Sequence, residues 1–96
     1  MRIKRIKQII KKHKSDLTDK YHVCQIGIFG SYVRNEQTES SDIDILVDFS
    51  APISLFEFID MEEELSELLN VKVDLVSRKA LKPYIGKHIL KEVQEV

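Results

Sequence analysis

Apolar residues recur along this chain with two periods, and each change of period marks an element. Ile3, Ile6, Ile9 and Ile10 stand at helical spacing with lysines on the other face, which predicts an amphipathic helix over 3–14, able to continue past His13. Residues 22–29, His-Val-Cys-Gln-Ile-Gly-Ile-Phe, are rich in strand formers and stop at Gly30-Ser31. Residues 31–36 read as a short helix opening at Ser31, and 37–41 as a polar loop. Residues 42–49, Asp-Ile-Asp-Ile-Leu-Val-Asp-Phe, alternate as a second strand. Ser54 with Glu57 three positions on has capping-box spacing. A helix is expected from there to Leu69, with Leu55, Phe58, Ile59, Leu65, Leu68 and Leu69 inward and Asn70 ending it. Residues 71–76 form a third strand. From Leu81 a last helix sets Ile85, Ile89, Leu90 and Val93 on one face.

This order predicts a small α/β (α+β) domain, a short mixed sheet with helices packed mainly on one face. Only about a dozen residues separate the first two strands, too few for a comfortable parallel crossover, so these strands are expected to be antiparallel. That pairing brings the end of the first strand, Gly30 and Ser31, beside the start of the second, Asp42 and Asp44.

The length of 96 residues fits one domain over 1–96 and leaves no room for a second, substrate-holding domain. No apolar run approaches the length of a membrane span, the basic N-terminus lacks the apolar core of a secretory signal, and a single cysteine excludes a disulfide framework. A cytoplasmic location is the expectation. The net charge of −1 conceals segregation: residues 36–67 hold eleven acids and no Lys or Arg, between two basic ends. Such a block is a solvated helix face, a cation site, or partly each.

Asp42 and Asp44 are two apart on a strand, so both leave the same face, while Ile43, Ile45 and Val47 leave the other. Adjacent carboxylates without a base repel each other unless a cation sits between them, and hard oxygen ligands suit Mg²⁺. Asp74 joins them if the third strand pairs beside the second, because Val71, Val73 and Leu75 take its opposite face. A Gly-Ser turn exposes backbone N–H groups and a hydroxyl, a natural phosphate seat, and Arg34 lies one helical turn from Ser31. Carboxylates for metal beside a turn for phosphate point to metal-assisted phosphoryl or nucleotidyl transfer. No Walker-A lysine pattern is present.

Gly30-Ser31, ten residues, then Asp42-Ile43-Asp44 resembles the signature of the DNA polymerase beta-like nucleotidyltransferase superfamily. Phe29, Ser41, Ile45-Leu46-Val47-Asp48-Phe49, Val73-Asp74-Leu75-Val76, Ala80-Leu81-Lys82-Pro83 and Ile89-Leu90 resemble its minimal nucleotidyltransferase (MNT) branch, over about 22–93. Asn35 departs from the glycine this family often has after the arginine. The resemblance implies a polymerase-palm-like fold, with Asp42 and Asp44 binding two Mg²⁺ ions and Asp74 helping to hold the catalytic metal and activate the attacking hydroxyl. Gly30 and Ser31 would hold the β- and γ-phosphates of ATP, with Arg34 assisting. It further implies an antitoxin that adenylylates a tyrosine of a HEPN-type toxin encoded nearby, releasing pyrophosphate. The alternative is a non-catalytic nucleotide-binding module that neutralises its partner by occlusion.

The remaining residues carry plainer readings. His13, His22 and His88 lack metal-ligand spacing, Cys24 reads as small core filler inside a strand, and Glu62-Glu63-Glu64 as a solvated face. Asp48 shares the parity of Asp42 and Asp44 but is expected at the surface or in a loop. Direct nucleic-acid binding by the basic first helix is not expected, because no aromatic residue interleaves for stacking.

Overall fold

Helix α1 (Ile3–Tyr21) outruns its predicted first turns because Leu17 and Tyr21 extend the stripe of Ile6 and Ile10. His22, left-handed at φ 57°, ends it. In the computed structural model, which describes residues 1–96, the chain continues through β1 (Val23–Phe29), β2 (Ile43–Phe49), α2 (Leu55–Leu69), β3 (Val73–Ser77), a 3-10 turn (Arg78–Ala80), α3 (Pro83–Glu92) and β4 (Gln94–Glu95). The sheet order is β3-β2-β1-β4. The β1–β2 and β1–β4 pairs are antiparallel and β2–β3 is parallel, so the sheet is mixed, and strands one and two pair as the loop length predicts.

One face of the sheet carries the core. Val23, Ile26, Ile28, Ile43, Ile45, Val47, Val73 and Leu75 pack there against Ile6, Ile10 and Leu17 of α1 and Met61, Leu65 and Leu69 of α2. A bulge in β1, between Val23 and Gln25, puts Val23 and Ile26 on this face although they are three apart. Cys24 is therefore turned out and exposed, not core filler.

Helix α2 begins at a full capping box. Ser54 Oγ accepts from the Glu57 N–H at 3.1 Å, and Glu57 Oε1 accepts from the Ser54 N–H at 3.0 Å. Asn70, left-handed at φ 53°, closes the other end. Changing Ser54 to Ala should lower stability by about 1 kcal/mol, read from denaturant unfolding, with the slope unchanged. The inward face differs from expectation. Met61 is fully buried, Phe58 and Leu68 are half-buried, and Leu55 and Ile59 are exposed. The buried stripe runs Phe58–Met61–Leu65–Leu69, which leaves Ile59 to one side and Leu55 in solvent at the helix start. The acidic run is not simply solvated either. Glu62 Oε2 accepts from the Leu75 N–H at 2.8 Å and Ser66 Oγ from the Val73 N–H at 2.9 Å, so α2 covers the open edge of β3. Glu64 pairs with Lys20 at 2.8 Å.

The last helix does not join the core. Ile85 and Leu90 are exposed, Ile89 and Val93 half-buried, and Gly86 is its one buried residue. The core face is already filled by α1 and α2. Helix α3 lies by the opposite face, where Leu46 lines a cavity of about 220 Å³ with Leu90 and Val93. Beyond it comes β4, which the periodicity does not predict. Gly27 admits this strand, since a Cβ there would meet Val93 Cγ2 at 2.6 Å.

Candidate active site

The face away from the core carries the acids. Asp44 and Asp74 are direct register partners across the parallel β2–β3 pair, and Asp44 faces Phe29 across β1. Asp42 lies one residue before β2, where the Ile43 N–H donates to the Lys72 carbonyl. Alternation, which keeps Ile43 and Ile45 in the core, delivers the acids to this sheet end. The polar loop of 37–41 closes on itself through Thr38 N–H to Ser41 Oγ at 2.8 Å.

The surroundings of Asp44 act strongly on its carboxyl. Burial pushes its carboxyl up to about 6, and the neighbouring Asp74 and Asp42 push the same way. Arg34 opposes the shift and Glu92 adds to it. Compensation by bases is slight. Lys72 stands 3.9 Å from Asp42 with both side chains well exposed, an ion pair of little strength. Uncompensated carboxylate oxygens fit a hard divalent cation. The three side chains do not converge into a ready cage of three ligands. Mg²⁺ does not require one, since it takes one or two carboxylates and completes its shell with water and phosphate oxygens.

Gly30 follows β1 with φ 82°, in the region that favours glycine, and its missing Cβ leaves room for the Asp44 carboxylate. Residues 31–35 form consecutive turns rather than the expected short helix. The Val33 and Arg34 N–H groups donate to the Gly30 carbonyl at 3.0 and 3.2 Å, and the Glu36 N–H to the Ser31 carbonyl at 2.9 Å. The amides of Ser31 and Tyr32 have no acceptor within the chain. Asn35 sits at φ 57°, which explains the departure from the family pattern: a left-handed position suits glycine, and asparagine is among the few side chains that tolerate it. Tyr32 is buried in the core cluster and anchors the turn, while Arg34 is exposed.

All six residues singled out in the sequence thus meet at one sheet end. Asp48 does not; it lies within β2, opposite Gln25, and lines the 220 Å³ cavity with Arg78 and Glu95, apart from the three acids. One residue at the site was missed. Glu92 of α3 accepts from the Gly30 N–H at 2.9 Å and from Arg34 Nη1 at 2.6 Å. No spacing relates it to the Gly-Ser turn, because the contact spans 62 residues. Paired carboxylates beside a turn of open amides can hold a metal–triphosphate and support in-line attack at phosphorus.

Residues 5–96 match the model of the nucleotidyltransferase domain family. The protein adenylyltransferase MntA of Thermococcus cleftensis is 48% identical over 91 residues, which cover 95% of this chain and 92% of that protein. A solved structure described as a minimal nucleotidyltransferase superposes with a TM-score of 0.78 at 28% identity, covering 95% of each chain. The same fold, at 21% identity and a TM-score of 0.70, occurs in a structure of the tri-AMPylated HEPN toxin of Shewanella oneidensis in complex with MNT antitoxin, covering 94% of this chain and 70% of that one. No helix here is long and apolar enough to cross a membrane.

Proposed function

The chain belongs to the nucleotidyltransferase domain family, and we infer that it is a cytoplasmic antitoxin, a single domain over 1–96, that moves AMP from ATP to a tyrosine hydroxyl of a HEPN-type toxin. The observation that carries this reading is the meeting of the Asp44–Asp74 pair with the Gly30 turn at one sheet end. The name of the Thermococcus relative and the fold shared with an MNT antitoxin support it.

In this reading the Gly30 and Ser31 turn and Arg34 hold the β- and γ-phosphates, which leaves the α-phosphate over Asp42 and Asp44. Asp74, one strand across, takes in this reading the role of holding the incoming hydroxyl and accepting its proton. The acceptor oxygen bonds to the α-phosphorus as the bond to pyrophosphate breaks, and the proton passes to solvent. Two Mg²⁺ ions at these carboxylates would supply charge neutralisation of the triphosphate and of the developing alkoxide. The toxin contributes the acceptor.

The test is to mix the protein with the HEPN-type product of the adjacent gene, Mg²⁺ and ATP labelled on the α-phosphate. Label on the toxin and loss of toxicity are expected. Neutralisation without label would leave occlusion as the mechanism, and neither effect would end the antitoxin reading. A paired expectation concerns the seat. The double change Ser31→Ala and Arg34→Ala should weaken ATP binding by about tenfold, measured by calorimetry, with little change in melting because both lie at the rim.

A further inference from the structure

Glu92 already fills part of the phosphate seat. One carboxylate oxygen takes the Gly30 N–H at 2.9 Å and the other takes the Arg34 guanidinium at 2.6 Å. A backbone amide and a guanidinium gripping two oxygens of one anion is the pattern by which proteins bind a phosphate edge. Burial raises the Glu92 carboxyl, but the Gly30 N–H, then Arg34, pull it below the usual carboxylate range, so it stays ionised. A triphosphate cannot take both donors while Glu92 keeps them. The carboxylate also adds a fourth negative charge beside Asp42, Asp44 and Asp74, which an incoming polyanion would meet.

We propose that Glu92 is an internal stand-in for phosphate that the nucleotide must displace, so that this residue sets nucleotide affinity from the far end of the chain. The inference rests on the reading of Gly30 and Arg34 as the phosphate seat. The surrounding structure lets the side chain leave without unfolding the segment. Past Glu92, β4 is tied down independently: the Val96 N–H donates to the Ile26 carbonyl at 3.0 Å, Lys7 to Gln94 at 2.6 Å, and Lys14 to the Val96 carbonyl at 2.8 Å. Before it, α3 has little buried surface to resist a small shift, with Tyr84 and Ile85 in solvent. The two hydrogen bonds lost by Glu92 are replaced by two from the triphosphate to the same donors.

The experiment is calorimetric titration of Mg²⁺–ATP, and separately of inorganic tripolyphosphate, into the parent, Glu92→Gln, Glu92→Asp, Arg34→Ala and Glu95→Gln proteins, each first checked for a cooperative melt. Glu92→Gln should bind both ligands about fivefold more tightly, the gain from removing a partly exposed charged competitor. Glu92→Asp, too short to reach both donors, should fall between, and Arg34→Ala should bind more weakly than the parent. Glu95→Gln removes the same charge from β4, outside the seat, and should match the parent. Weaker binding by both Glu92 variants, with Arg34→Ala also weak, would make Glu92 a positioning residue for the seat and overturn the displacement. Equal tightening by Glu95→Gln would reduce the effect to net charge and also overturn it. Unchanged affinity in Arg34→Ala and Glu92→Gln alike would remove the phosphate seat itself.

Discussion

Changing Asp44 to Asn is expected to lower AMP transfer on the order of a hundredfold to a thousandfold, the loss of a few kcal/mol of charge stabilisation at the transferring phosphate. Asp44 pairs with Asp74 across β3 and feels Asp42 two residues back, just before β2, so it belongs to two of the three carboxylate pairs that could hold a cation. Asparagine keeps the volume and one oxygen but removes the charge. Asp74→Asn should lose activity to a similar degree, because it also removes the proton acceptor. Asp42→Asn should lose less, since Asp42 lies outside the strand and its side chain is well exposed. The measurement is the single-turnover rate of label transfer at saturating Mg²⁺ and ATP. An Asp44→Asn protein that transfers AMP within a few-fold of the parent would remove the cluster from catalysis.

The same substitution should act oppositely on the metal-free fold. The folded Asp44 carboxyl is raised from 3.8 to about 6, first by burial and then by its acidic neighbours. A raised folded value means that the folded state binds the proton more tightly than the unfolded one. Stability from this group therefore rises as pH falls from above 6 toward 3.8, and is lost again as pH climbs through 6. Discounted for its partial exposure, the cost at pH 7.5 is on the order of 1 kcal/mol. In EDTA at pH 7.5, Asp44→Asn should melt at or above the parent, by roughly 4–8 °C per kcal/mol gained. It should also lack the parent's rise in midpoint between pH 7 and 5. Mg²⁺–ATP should raise the parent's midpoint and leave that of the variant nearly unmoved. A scaffold aspartate, held by hydrogen bonds, would show the reverse order in EDTA.

What was legible in the sequence was whatever short-range pattern decides. Strand alternation fixed which way Asp44 and Asp74 point, and loop length set the antiparallel β1–β2 pair, so the acids and the Gly30 turn meet where expected. The capping box and Asn70 placed both ends of α2. Local pattern failed wherever a distant partner decides. Helix α3 has an amphipathic stripe that reads as a core face, yet α1 and α2 had filled that core. Strand β4 is two residues long and owes its place to the room over Gly27. The β1 bulge reversed the side of Cys24 without any mark in composition. Glu92 reaches the site by the same long-range route, through the return of α3 and β4 across β1. A glycine inside a strand was the one available hint that another backbone comes close there.

Gly30→Ala should destabilise the protein and close the seat together, the second large effect. Where the backbone suits alanine, this change stabilises by about 0.4–1 kcal/mol, because it restricts the unfolded chain. Here φ is +82°, which costs an L-residue about 1–2 kcal/mol. The new methyl would also collide with the Asp44 carboxylate, whose Cγ lies 3.0 Å from its position. Asp44 can yield by turning its side chain, but that takes its oxygens away from Asp74 and from the turn. The expected result is a midpoint several degrees lower and AMP transfer reduced at least as far as in Asp44→Asn. A cycle separates the two causes. Asp44→Ala, expected to be inactive, removes the carboxylate the methyl would strike and leaves only the Cβ, 3.2 Å from it, so adding Gly30→Ala should cost little beyond the backbone part. The double variant should then be more stable than the sum of the singles predicts, with an interaction of at least 0.5 kcal/mol. Strict additivity would mean that alanine is accommodated without touching Asp44, and a Gly30→Ala protein that melts above the parent would place Gly30 in ordinary backbone, away from the carboxylate.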